Sequence, residues 1–279
     1  MPDDSRSARL ADHLPEYLIE ALGLGLFMVS AGVISTALEA PASWLRAAVT
    51  DGGVRRALAG LAMGLTAIGF IYSPWGRRSG AHLNPAVTLA FLRMNRMRPL
   101  DALGYIVAQF CGGLVGVFAV RLLLGAGFSS PPVAWVVTLP GSAGTLVAFV
   151  AECVISAGLM YTVLRVSASR RFAAWTGVAA GVLIALYVTF EAPLSGMSMN
   201  PARSFASAAP AGIWQHLWIY FVAPVLGMQA GAQLHLLRHG RTACAKLMHT
   251  PLERCIHCGF EPAADGLVAA SASTLQDPA

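Results

Sequence analysis

Residues 79–86 read SGAHLNPA, and residues 195–202 read SGMSMNPA. Both follow S-G-x-x-x-N-P-A, with equivalent positions 116 apart (195 less 79). A repeated octet at that distance divides the chain into two corresponding halves. Asn is a preferred helix N-cap, because its side-chain oxygen accepts a backbone N–H of the first turn. Pro suits the first helical position, where no donor is needed and φ is already helical. Ala leaves room for a close neighbour. Asn84, Pro85 and Ala86, and again Asn200, Pro201 and Ala202, are therefore expected to open one short helix each.

The composition around these motifs is that of a membrane protein. Of 279 residues, 56% are hydrophobic and 12% charged, the latter about half the ~25% of a soluble chain. Mean hydropathy is +0.62. So apolar a soluble chain lacks the polar surface to cover its core. The net charge of +5 does not suggest a nucleic-acid partner, because all the basic residues but Lys246 are Arg, in short clusters between apolar runs. That is the pattern of loops at a membrane surface. Disorder, a disulfide-rich secreted fold and a collagen-like fold are excluded.

A membrane-crossing helix needs roughly 20 apolar residues. Six runs meet this, at about 14–37, 54–73, 100–123, 144–166, 173–190 and 213–236. The first run is too long for a signal peptide's apolar core and reads as a retained span. Two further apolar stretches, 84–93 and 200–209, are too short to cross, and each follows an N-P-A motif. Each half thus holds two spans, a half-length segment and a third span. Three spans are an odd number, so the second half inserts upside down. The expected fold is all-α and integral to the membrane: six transmembrane helices plus two re-entrant half-helices in an inverted repeat. The channel domain covers 14–237 (repeats about 14–123 and 144–237), between an N-terminal segment 1–13 and a tail 238–279. Placing both termini in the cytoplasm puts Arg6, Arg9, Arg77, Arg78, Arg93, Arg96, Arg98, Arg165, Arg170, Arg171, Arg238, Arg241, Lys246 and Arg254 inside. It leaves Arg46, Arg55, Arg56, Arg121 and Arg203 outside, as the positive-inside rule asks. Glycines four apart, such as Gly60 with Gly64, Gly112 with Gly116, Gly177 with Gly181 and Gly227 with Gly231, suit close helix crossings in lipid.

Interrupted segments at corresponding places in inverted halves mark a transport path. Ten residues at 1.5 Å rise give about 15 Å, so two half-helices end to end match the ~30 Å hydrocarbon core. Their N-termini would meet at the midplane, where their positive partial charge disfavours cations and protons. The Asn84 and Asn200 amides can donate to a passing water or hydroxyl oxygen. Arg203 follows the second motif, and an Arg at that depth is costly unless it lines an aqueous path. It is expected to form the cationic donor of an outer constriction.

The stretches SGAHLNPAVTLAF (79–91) and SGMSMNPARSFASA (195–208), with the six-span layout over 14–237, resemble the aquaporin, or major intrinsic protein, family. The resemblance implies a right-handed helical bundle with one pore per subunit and a homotetramer. Glu20 and Glu152 lie in the first span of each half, and a buried carboxylate must be paired or hydrogen-bonded. The resemblance implies that they brace the two re-entrant loops; the competing reading is a proton or ion relay in a coupled secondary transporter. Gln109 is either another brace or a generic interhelical hydrogen bond, and His82 is expected to make a loop contact. The outer filter implied by the family consists of Arg203, Met197, Val188 and either Met63 or Gly64. Water-selective relatives carry His at the place of Val188, and family members with Val there pass small neutral solutes, metalloid acids included. Ser204, Ala208 and the Tyr220–Phe221 pair look water-type, and two flexible Met side chains can narrow a pore.

The expected function is a passive channel for water that excludes protons and ions. The alternatives are a broader neutral-solute channel for glycerol, urea or metalloid acids, a coupled transporter, or a non-conducting scaffold of the same fold. No nucleophile–base pair or cofactor loop suggests an enzyme, and the expected partners are permeants, lipid and sibling subunits. The short loops suggest a bacterial inner membrane. In the tail, the C-x-x-C at Cys255 and Cys258 has metal-ligand spacing, and Cys244 and His249 are candidates to complete a zinc site. The bland reading is an ordered cap or a solvated tail, with thiols favoured over a disulfide in a reducing cytoplasm. Residues 261–279, rich in Ala, Ser, Asp and Pro, read as disordered.

Overall fold

A computed structural model describes residues 12–240, 244–248 and 255–260. Its principal elements are α1 (Leu14–Glu39), α2 (Gly52–Tyr72), α3 (Pro85–Arg93), α4 (Pro99–Leu124), α5 (Thr145–Ser167), α6 (Thr176–Phe190), α7 (Pro201–Ala211) and α8 (Leu217–His239). Six helices are long and apolar enough to cross a membrane: α1, α2, α4, α5, α6 with its leading 3-10 turn, and α8. The two half-helices α3 and α7 stand third and seventh, as the repeat requires.

Local chemistry sets the boundaries. Asp51 caps α2 by accepting from the Val54 N–H at 2.8 Å, and Pro74 stands just past the helix's far end. Pro99 opens α4, which ends at Gly125. Gly212, in the left-handed region at φ +69°, ends α7, and His216 adopts φ +59° before α8 begins. This is why the sixth span starts at Leu217 rather than near 213. The apolar run continues across the break, and hydropathy does not register backbone conformation.

The helices pack as a pseudo-symmetric bundle. The largest helix contacts are α1 with α4, α5 with α8, and α2 with α6 across the two halves. Half-helix α7 packs on α4, and α3 packs on α8, so each half-helix is held by the last span of the opposite half. The glycine pairs lie at these crossings. A Cβ on Gly60 would approach Ala185 O, one on Gly64 would approach Gly181 O, and one on Gly116 would overlap Gly25. A Cβ on Gly227 would overlap the Cys153 carbonyl, and one on Gly231 the Ala157 carbonyl. Close approach here comes from backbone meeting backbone, which substitutes in lipid for hydrophobic burial. Outward-facing side chains such as Leu122, 86% exposed, and Phe190, 74% exposed, form an apolar surface that suits acyl chains.

Two substitutions separate crossing glycines from incidental ones. Gly231→Val should destabilise the detergent-solubilised protein by about 2 kcal/mol through overpacking, lowering Tm by about 5 °C. Gly69→Ala, with nothing within 4 Å of the added Cβ, should leave Tm unchanged or raise it, because Ala is the better helix former. Equal effects of the two would refute the packing assignment.

Candidate functional site

The two octets fold into one junction. Asn84 caps α3, its Oδ1 accepting from Ala86 N at 2.8 Å. Asn200 caps α7, its Oδ1 accepting from Ala202 N at 3.1 Å and Arg203 N at 3.2 Å. The amide groups then reach across. Asn84 Nδ2 donates to Met199 O at 2.6 Å, and Asn200 Nδ2 donates to Leu83 O at 2.7 Å. Each carbonyl so used belongs to the residue just before the other Asn. The half-helices therefore meet N-terminus to N-terminus, tied by a reciprocal pair of hydrogen bonds. One N–H of each amide is engaged in the tie, and the other remains for the cavity that both residues line.

The loops before the motifs hold unusual backbone. Ala81 and Leu83 have φ +54° and +50°, and Met197 and Met199 have φ +49° and +54°. These are equivalent positions in the repeat, and a left-handed non-glycine residue costs about 1–2 kcal/mol. The acids hold this geometry. Glu20 Oε1 accepts from the Ser79 hydroxyl at 2.8 Å and His82 N at 3.0 Å, while its Oε2 accepts from Leu83 N at 2.6 Å. Glu152 repeats the pattern with the Ser195 hydroxyl at 2.8 Å, Ser198 N at 2.7 Å and Met199 N at 2.7 Å. Both acids are fully buried, and backbone donors at that depth need such partners. Gln109 is a brace in the first half, its Nε2 donating to Glu20 Oε2 at 2.9 Å and to Thr88 Oγ1 at 3.2 Å. Sequence reasoning did not single out the two serines. It also missed Tyr105 and read Tyr220 only as part of a water-type pair; their hydroxyls donate to Ser79 O and Ser195 O. Their signal was available, since Ser79 and Ser195 are the first residues of the repeated octet.

One cavity of about 310 Å³ passes this junction. Glu39, Arg55 and Arg56 line one end, with Arg55 Nε donating to Glu39 Oε1 at 2.9 Å. Met63, Val188, Met197 and Arg203 all line it, together with Asn84 and Asn200. Gly64 does not; it packs on Gly181, so of the two span-two candidates only Met63 faces the cavity. Arg203 Nη1 is buried without a partner among the described residues. Glu191, at the end of α6, is buried. Glu16 and Asp101 are also buried: Arg78 pairs with Glu16 at 3.0 Å, and the Tyr17 hydroxyl donates to Asp101 at 2.6 Å. They lie within one turn of helix ends, where hydropathy alone reads an acid as interfacial.

The tail returns to the first octet. His82 Nε2 lies 2.7 Å from Ala245 O and its Nδ1 lies 3.1 Å from Thr88 Oγ1, while Leu247 N donates to Gly80 O at 3.2 Å. His82 therefore makes a loop contact and also docks the tail. Leu247 is part of the cavity wall, which no pattern in the sequence announced. Cys244, Cys255 and Cys258 bring their sulfur atoms within 4.8 Å of one another; His249 lies outside the described residues, as do 261–279. The Cys244 thiol's hydrogen bond holds Cys255 down to about 4, and the same bond raises Cys244. Burial lowers His257 to about 4, so it is neutral at physiological pH.

Comparison with known proteins places this geometry. Residues 7–235 match the family model for the major intrinsic protein family. Aquaporin NIP1-2 of Arabidopsis thaliana is 34% identical over 226 residues, 80% of this chain and 73% of that protein. Aquaporin NIP3-1 of the same plant is 35% identical over 193 residues, 67% of this chain and 59% of that protein. Across the plant relatives it matches, the chain spans between about half and three quarters of their length. The aquaglyceroporin of Plasmodium falciparum, solved by X-ray diffraction, superposes with a TM-score of 0.67 at 23% identity, covering 80% of this chain and 95% of that one, and so shares the fold. The repeat, the crossed half-helices and the family match lead to one conclusion: the chain belongs to the major intrinsic protein family, whose members are membrane channels and not enzymes.

Proposed function

We propose that the protein is a passive channel for water and for small neutral solutes of glycerol size. The observation that carries this is the composition of the ring beside Arg203. Met63, Val188 and Met197 contribute no polar side chain, so Arg203 is the one strong donor in that ring. A ring with a second polar wall suits water alone; an apolar wall facing one cation accommodates a carbon skeleton while a hydroxyl bonds the Arg. The sequence weighed water first. The apolar ring and the likeness to NIP aquaporins favour the broader solute range. Ions are excluded by the same parts. A cation meets Arg203 and then two helix N-termini, and no side chain replaces its hydration shell.

A coupled transporter using Glu20 or Glu152 has less support, because both oxygens of each carboxylate accept hydrogen bonds from loop groups. They act as braces and not as a relay. The Arg asymmetry supports cytoplasmic termini. A homotetramer is inferred from the family and matches the broad apolar outer face. The relatives compared are plant proteins, so a bacterial inner membrane rests on the sequence alone.

Stopped-flow light scattering on proteoliposomes tests the reading. Water and glycerol should both cross well above protein-free vesicles, with no dependence on an ion gradient. Glycerol at background would overturn the broader range. Val188→His should lower glycerol flux about tenfold and spare water, since it adds a second polar wall. Arg203→Val should raise urea flux about threefold or more by removing the fixed donor; unchanged urea exclusion would refute the filter assignment.

A further inference from the structure

The tail holds a soft-ligand cluster at the place where the cavity's wall is completed by a residue from outside the bundle. We propose that Cys244, Cys255 and Cys258 bind a thiophilic divalent cation of the zinc class, and that this latches the tail across the inner end of the channel. The inference rests on the channel reading for its effect on flux, and on the cluster alone for the binding.

The sulfur geometry fits. Zinc–sulfur bonds of about 2.3 Å place tetrahedral sulfur pairs about 3.8 Å apart. Cys244 Sγ and Cys255 Sγ lie 3.4 Å apart, and all three sulfur atoms lie within 4.8 Å of one another. The segment is already shaped as a ligand turn. Cys255 N donates to Phe260 O at 2.8 Å, Gly259 N donates to Cys255 O at 2.9 Å, and Gly259 takes the left-handed region at φ +75°. Backbone N–H groups of His257 and Cys258 face the Cys255 sulfur, and Lys246 lies close enough to offset the excess negative charge of three thiolates. Such outer partners are what orients metal ligands. Three protein ligands leave a fourth position for water. Cys255 is buried and Cys258 exposed, so the cluster has a solvent side through which an ion enters.

The latch follows from what flanks these ligands. His257, between Cys255 and Cys258, lies 3.3 Å from Ser79 O and 3.3 Å from the Tyr105 hydroxyl, and it stacks on His82 at 6.0 Å. On the other side of the cluster, just past Cys244 and Ala245, the Leu247 amide bonds Gly80 and the Leu247 side chain lines the cavity. A cation joining Cys244 to the 255–258 turn closes a loop around this contact. It therefore fixes Leu247 in the permeation path, and loss of the cation frees the segment to withdraw.

The test uses the full chain, loaded with Zn²⁺ and freed of excess by gel filtration. Elemental analysis should give about one zinc per chain, falling below about 0.2 in Cys258→Ser and in Cys255→Ser. Cys258 is exposed, so its replacement does not disturb packing, and Cys111→Ser should keep full occupancy. Amide exchange at Leu247 should slow about tenfold on adding zinc to the wild type and not at all in Cys258→Ser. Glycerol and water flux should rise about twofold or more when zinc is stripped from wild-type proteoliposomes. Sub-stoichiometric zinc, or a Cys244–Cys255 disulfide in its place under reducing conditions, would overturn the site. Bound zinc with unchanged Leu247 exchange would overturn the latch. Bound zinc and a protected Leu247 with no flux in either state would support site and latch while the channel reading fails.

Discussion

Two helix N-termini brought face to face at the centre of a membrane repel, because each carries a positive partial charge and unpaired N–H groups. The reciprocal amide tie between Asn84 and Asn200 overcomes this. Each side chain caps its own helix with its oxygen and binds the opposite loop with its nitrogen. No other residue type does both in so short a reach. Ser and Thr cap but offer a single hydroxyl; Asp caps but has no N–H. The tie in turn requires Leu83 and Met199 to aim their carbonyls across the junction. Those residues adopt left-handed backbone to do so, and the strain persists because Glu20 and Glu152 hold the adjoining N–H groups. The chain of dependence runs from the buried acids to the loops, from the loops to the tie, and from the tie to the cavity.

The two halves use this scheme with different outer partners. Position 82 is His and its counterpart 198 is Ser; position 88 is Thr and its counterpart 204 is Ser. The smaller pair packs against Thr138, whose hydroxyl lies 2.7 Å from that of Ser204. The larger His82 reaches past the bundle to Ala245. A Cβ on Gly196 would meet Leu139 at 3.0 Å, and one on Gly80 would meet Lys246 at 3.1 Å. The connection between the repeats thus covers the second octet, and the C-terminal tail covers the first. Inverted symmetry gives each octet an open end, and each is closed by whichever non-repeated segment emerges beside it.

Much of this was legible in the residues. The repeated octet predicted the half-helices, their caps and their meeting, because cap chemistry is local and the repeat supplies the inversion. The buried acids were legible as needing partners. Their partners were not, because Ser79, Ser195 and the loop amides are identified only by the left-handed turns that aim them. Met63 and Gly64 are adjacent in the sequence, and a helical register error of one residue exchanges wall for crossing. The tail reads as an ordered cap or a solvated segment with a cysteine cluster, and nothing in the residues says where a cap would dock. Ala245, Leu247 and Ile256 are too few and too spaced to form a periodic pattern. Their burial against a loop far earlier in the chain, with His82 and Ala245 separated by 163 positions, had no local signature.

On the proposed channel reading, the exclusion of charge follows from the same allocation of partners. Arg203 lies against the cavity with Nη1 unpaired among the described residues, and the cavity carries two amide N–H groups and the positive ends of α3 and α7. At the junction the guanidinium and the two amides are donors, beside loop carbonyls turned by the left-handed residues, while Glu39, at one end of the cavity, is paired with Arg55. A neutral oxygen finds donors in succession and gives up its solvent partners one at a time. A cation finds no ring of acceptors at the junction to replace its hydration shell, and meets the positive ends of two helices there. The acids that might have relieved that potential, Glu20 and Glu152, are turned to the loops and occupied by backbone amides. The residues that make the fold possible therefore also keep their own negative charge away from the junction.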